Sequence, residues 1–234
     1  MIPIITFETV KNTFFVTYVL LLTTGSITFI EALTTQNPII RHVLNLETVV
    51  SIIASFFYSQ FVSRYINSAG VTEQTINYSE LTKTRYLDWS ITTPFMLLAL
   101  CLVLAHNQKR TLSITAFMII LFLDYGMLWT GYLGETEVLS KNVAFVLSFL
   151  FFIALFAFIY FQFVAGAKQY DNFVLFFIYV LVWSIYGFVY YTDNVTKNIS
   201  YNILDLIAKC FIGIFLWIYL VKVLDFRASQ QKLY

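Results

Sequence analysis

Charge is scarce in this chain. Only 12% of its 234 residues are Asp, Glu, Lys or Arg, and 14 basic against 13 acidic side chains leave a formal net charge of +1. So little charge excludes the solvated surface of a soluble domain and the charge density of a disordered one. It also lacks the basic excess that a nucleic-acid partner requires, so no such partner is expected. Cysteine is scarcer still: Cys101 and Cys210 both fall inside apolar runs, where a thiol behaves as a small hydrophobe rather than half of a disulfide. No second domain, repeat or low-complexity tail is visible. No cleavable signal is expected, because the first apolar run is too long for one and no small-residue cleavage site follows it. What the chain has in quantity is apolar surface, 59% hydrophobic and 19% aromatic. That balance predicts an all-α, multi-pass protein integral to a lipid bilayer, with residues 1–234 forming one domain.

At about 20 residues per crossing, the apolar runs divide into seven spans, at 13–33, 44–65, 85–104, 112–133, 139–163, 173–191 and 199–223. Breakers such as Asn37-Pro38, His106-Asn107 and Gly166 punctuate short connections. Only the link from Asn67 to Lys83 has room for an extra element, a small hairpin. The Lys and Arg residues of the ends and loops favour an N-terminus outside and a C-terminus in the cytoplasm. In that topology the sequons at Asn77, Asn194 and Asn198 all lie outside.

Few ionisable side chains remain at membrane depth: Glu47, Arg85, Asp88, Asp124, Asp205 and Lys209. Each is expensive there, a lysine costing about 2.5–3.5 kcal/mol to insert, so each is a functional candidate by default. Asp205 and Lys209 are one helical turn apart and share a face. In the third span Arg85, Asp88, Thr92, Met96 and Ala99 recur every three or four residues. They stack a cation, an acid and a hydroxyl toward one end and apolar residues toward the other. That gradient suits a proton acceptor on one side of a buried cation better than it suits interhelical glue.

The run RYLDWSITTP from Arg85 to Pro94, followed by DLIAK from Asp205 to Lys209 in the seventh span, resembles the microbial (type I) rhodopsins. DYGMLWTG in the fourth span, GYLGE after it, WSIY in the sixth and Tyr58 in the second extend the resemblance over nearly the whole chain. It implies a seven-helix bundle in which Lys209 forms a protonated Schiff base with all-trans retinal. Asp88 and Asp205 would be its counterions, Asp88 the primary proton acceptor, with Arg85 beyond them toward the outside. Trp89, Trp183 and Tyr186 would sandwich the polyene, with Thr93, Met96 and Met127 lining it, and Met96 favouring green absorption. Tyr58 would hydrogen-bond the Asp205 side of the cluster, and Asp124 would be a structural, protonated carboxyl near the retinal ring. The family also forms trimers and pentamers, so a homo-oligomer is expected.

Three departures bear on function. The inner half of the third span carries Ala99 where fast outward proton pumps carry an acid. Glu47 in the second span, aligned through Tyr58, falls beside that position. It is either a relocated proton donor, a polar element of a cation path, or a helix-end glutamate reaching water. Gly187 replaces the proline expected after WSIY, which alters the hinge in the sixth span. The short loop before the seventh offers Asp193 but no pair of glutamates for fast proton release. The compact Ile- and Phe-rich chain with its second-span glutamate looks similar to the rhodopsins of large algal viruses, which include proton pumps and cation channels. The leading expectation is an outward proton pump. A light-gated cation channel is the alternative, its path lined by Glu47, Asp88, Arg85 and, in the first span, Thr17, Thr24, Thr28 and Glu31. The same threonines read equally as helix packing. A photosensor with a separate transducer comes third, and nothing supports an enzyme.

Overall fold

The computed structural model describes residues 7–65, 76–166 and 170–224. Its helices are α1 (Phe7–Thr34), α2 (Pro38–Tyr65), α3 (Tyr78–Asn107), α4 (Ile114–Glu135), α5 (Lys141–Phe163), α6 (Tyr170–Val189) and α7 (Asn194–Asp205). The last runs on without a break through a π-helical stretch, Leu206–Phe211, then α8 (Ile212–Trp217) and a second π-helical stretch, Ile218–Leu224. Seven of the resulting helices are long and apolar enough to cross a membrane. Each packs on its neighbour in the chain, and the seventh closes against α1 and α2. The bundle's "near" end carries the start of α1 and the α4–α5 and α6–α7 loops. Its "far" end carries the α1–α2 and α3–α4 loops.

Most helices exceed the spans expected from hydropathy, because capped polar turns extend the apolar core. α3 begins seven residues early, at Tyr78, where Asn77 accepts a hydrogen bond from the Glu80 N–H. Residues 78–83 are therefore helical rather than part of a hairpin, while 66–75 lie outside the described residues. The seventh helix begins at Asn194 instead of 199, because Asp193 caps it with 3.0 Å bonds from the Val195 and Thr196 N–H groups. Hydrogen bonds from Thr196 hold the exposed Asp193 carboxyl below the ordinary range. Asn198, expected in an outer loop, is consequently a buried helical residue.

The third helix lies at the centre. Of its most apolar window 61% is buried, against 22% for α4, and α3 also meets α5 and α6. Pro94 cannot donate to the carbonyl of Ser90, and the Tyr125 hydroxyl of α4 takes up that carbonyl at 3.1 Å. Large apolar side chains such as Phe15, Phe29, Phe56, Phe122, Phe161 and Leu181 point outward, as a bilayer-facing surface requires. Cys101 and Cys210 are buried and free.

Close helix approach depends on missing side chains. A Cβ at Gly187 would run into the Phe149 ring. The residue that departs from the family's proline thus makes room for α5, and α6 stays helical through it. A Cβ at Gly134 would overlap both the Tyr190 hydroxyl and Ala144, so the α4–α5 pair cannot close around it. Gly134→Ala is expected to cost about 1–3 kcal/mol, read as a lowered thermal midpoint in detergent. A midpoint unchanged from wild type would show that α4 and α5 can separate freely there.

Candidate functional site

The site forms where α3 and the seventh helix face each other at mid-bundle. Lys209 is 1% exposed, and its Nζ donates to Asp88 Oδ2 at 2.7 Å and lies 3.5 Å from Asp205 Oδ2. Asp88 and Asp205 are equally buried, at 1% each. One turn nearer the near end, Arg85 Nη1 stands 3.9 Å from Asp205 Oδ2. Two carboxylates therefore balance two cations in a water-poor interior, the condition under which such charges can be buried at all. Lys209 sits within the π-helical stretch, a local widening often found at functional sites.

Asp205 is the better supported carboxylate. It accepts hydrogen bonds from Tyr58 at 2.9 Å, Tyr186 at 2.8 Å and the Trp89 indole at 3.3 Å. Asp88 Oδ2 is held by Lys209, while Asp88 Oδ1 meets no protein donor among the described residues. The geometry thus separates a firmly solvated anion from one whose main partner is the lysine nitrogen. Thr92 donates to the Asp88 backbone carbonyl at 2.9 Å rather than to its carboxylate, so it shapes α3 next to the acid without touching the charge.

Arg85 is held by Tyr58 and by two asparagines that the sequence motifs do not include. Its Nε donates to Asn198 Oδ1 at 3.2 Å, its Nη1 to the Tyr58 hydroxyl at 3.1 Å, and its Nη2 to Asn202 Oδ1. Phe14 and Phe61 lie 5.2 Å from the guanidinium carbon, a cation–π setting. Asn198, Asn202, Asp205 and Lys209 recur at intervals of four, three and four, so helical spacing was the available signal for both asparagines.

From Lys209 an apolar pocket runs between the helices. Trp89, Thr93 and Met96 of α3, Met127 of α4, and Trp183 and Tyr186 of α6 all line it, as expected. Phe149 and Phe152 of α5 and Tyr201 of α7 complete the walls, which no motif indicated. A flat, apolar, conjugated chain fits such walls, and the buried Lys209 nitrogen at one end becomes a nucleophile for its carbonyl once it gives up a proton to a neighbouring carboxylate. Asp124 does not line the pocket. It is 0% exposed and meets Thr93, which does, at 2.7 Å.

Glu47 is separate from this cluster. It is 1% exposed, which rules out the reading of a helix-end carboxylate in water. Its Oε1 meets no protein donor among the described residues, and Gly213 leaves just the space its Oε2 occupies, since a Cβ there would lie 3.0 Å away. Buried polar side chains cluster on the same side of the bundle: Thr17, Thr24, Thr28, Thr48, Ser51 and Ser55. Thr28 and Thr48 bond to each other at 2.9 Å, and Glu31 is only half-buried.

Known proteins share this fold. The crystal structure of viral rhodopsin OLPVRII superposes with a TM-score of 0.84 at 42% identity, covering 92% of this chain and 98% of that one. The light-driven proton pump Coccomyxa subellipsoidea rhodopsin CsR shares the fold, with a TM-score of 0.73 at 20% identity over 90% of this chain and 96% of that one. The green-light absorbing proteorhodopsin of Gamma-proteobacterium EBAC31A08 is 26% identical over 157 residues, 59% of this chain. That alignment spans about three fifths of the relative, 61% of its length. The family described as bacteriorhodopsin-like protein matches residues 9–223. With its seven membrane-length helices and this match over nearly its whole length, the chain belongs to the bacteriorhodopsin-like family, the microbial rhodopsins.

Proposed function

We propose that the chain is a light-driven outward proton pump that holds all-trans retinal on Lys209. One observation carries this reading: the 2.7 Å contact between Lys209 Nζ and Asp88 Oδ2, buried at the centre of the bundle. When bound, retinal supplies a light-driven isomerisation that relocates the positive charge on the lysine nitrogen. Asp88 accepts the proton at Oδ2, because it loses its main cationic partner as that charge moves. Asp205, fixed by Tyr58, Tyr186 and Trp89, stays ionised and keeps Arg85 in place. The proton count belongs to the cluster as a whole.

Return of a proton to Lys209 needs a donor on the far side, which this reading takes to be cytoplasmic. Ala99 cannot serve, and Glu47 is the buried acid of that half. Glu47→Gln is expected to slow reprotonation of the lysine nitrogen by about tenfold or more, measured by flash photolysis. An unchanged decay would remove Glu47 from that role. Thr93 has one hydroxyl proton but lies 2.9 Å from the Trp89 carbonyl and 2.7 Å from Asp124. A carboxyl on Asp124 that keeps its own proton satisfies both contacts, which suits a structural role beside the pocket.

The buried polar row of α1 and α2 around Glu47 favours a second reading, a light-gated cation channel. Photocurrent under voltage clamp in retinal-supplied cells separates the two. Outward current at every potential supports the pump, whereas current reversing near the cation equilibrium potentials supports the channel.

A further inference from the structure

The pocket around Lys209 does not stop at the counterions. Toward the near end it continues past Tyr201 to Tyr86, Gly131 and Tyr190. Beyond it lies a second, polar cavity, lined among others by Ser79, Thr82, Gly134, Glu135, Lys141 and Lys197. Gly134 lines the outer cavity and Tyr190 the inner one. The Tyr190 hydroxyl occupies the place a Gly134 side chain would take. The Tyr190 hydroxyl thus stands where the two adjoin.

An ion pair sits over that tyrosine. Lys197 Nζ lies 5.5 Å from the Tyr190 ring centroid and donates to Glu135 Oε1 at 2.7 Å and Oε2 at 3.1 Å. The two side chains are only 6% and 12% exposed. Taking both charges from water costs free energy that their attraction repays only in part, so stability alone explains this burial poorly. Lys197, Tyr201 and Asp205 are spaced by four residues each, which places them on one face of α7, leading from the outer cavity to the counterions. The next residue, Asn198, is the partner of Arg85.

We propose that the Glu135–Lys197 pair, closed over Tyr190, is the barrier between near-end solvent and the Lys209 pocket. The two side chains, held together at 2.7 Å, plug the cavity floor, and the buried pair excludes water from Tyr190. Ions moving between the Asp88–Asp205 cluster and the near side pass this point when the pair parts. The inference rests on the reading that Lys209 carries retinal, and not on whether the chain pumps or conducts.

Hydroxylamine bleaching in the dark tests it on the retinal-loaded, full-length chain. The reagent's nitrogen displaces the Lys209 nitrogen from retinal, giving retinal oxime and the free amine, so the rate reports access to Lys209. The near-isosteric Glu135→Gln and the truncated, charge-balanced pair Glu135→Ala with Lys197→Ala should both bleach about tenfold faster than wild type, as expected for an access barrier lowered by one decade. Arg64→Gln, which breaks the exposed 2.7 Å pair with Glu80 at the same end, should bleach at the wild-type rate. Rates for Glu135→Gln within about twofold of wild type would overturn the proposal, and this variant decides if the double variant takes up no retinal. Failure of the wild-type chain itself to take up retinal would instead refute the Lys209 reading, and with it this barrier.

Discussion

Asp88→Asn is expected to abolish light-driven transport, by about 100-fold or more, since on the proposed reading it removes the proton acceptor outright. Packing is preserved, because asparagine matches aspartate in shape and the site accepts a side chain of that size at 1% exposure. The charge balance is not. Arg85 and Lys209 would then face Asp205 alone, and Lys209 would lose its 2.7 Å partner while remaining 3.5 Å from Asp205. The loss should therefore appear in photocurrent while retinal uptake persists, with a shifted visible absorption reporting the missing counterion. Photocurrent near the wild-type level would move the acceptor role to Asp205.

Lys209→Met has an equally large effect of another kind: no visible chromophore should form at all. The retinal-free chain should also lose stability, because Asp88 is left buried without its cation. Breaking one member of a buried pair costs about 3–5 kcal/mol. Pairing the two changes, Lys209→Met with Asp88→Asn, restores balance between Arg85 and Asp205 and removes both orphaned groups. This double variant should unfold at a higher temperature than either single one. Additive losses would show that the contact between Lys209 and Asp88 carries little energy of its own.

Much of this site was legible because it is local. Arg85, Asp88, Trp89, Thr93 and Met96 share one helix, and Asp205 and Lys209 another, so three- and four-residue spacing put them on common faces. Tyr58 reached Asp205 as the resemblance implied. The misses have separate physical causes. Asn198 fell in an assumed loop because hydropathy windows ignore polar turns that a cap such as Asp193 can make helical. Glu135 and Lys197 pair across 62 residues between α4 and α7, a separation that no periodicity reveals. The π-helical stretch around Lys209, packed against α1, α2 and α6, has no signature in LIAKCF that hydrophobic periodicity could read. Gly187, read as an altered hinge, is explained instead by the Phe149 ring on another helix.

The central claim is that the Lys209 nitrogen passes its proton to Asp88. Time-resolved infrared difference spectroscopy on the retinal-loaded chain tests it most directly. A carboxylic C=O band should rise as the visible absorption of the protonated lysine nitrogen falls, shift when aspartate is carbon-13 labelled, and be absent from Asp88→Asn. A proton lost from the nitrogen with no such band, or with the band intact in Asp88→Asn, would contradict the account and place the acceptor elsewhere.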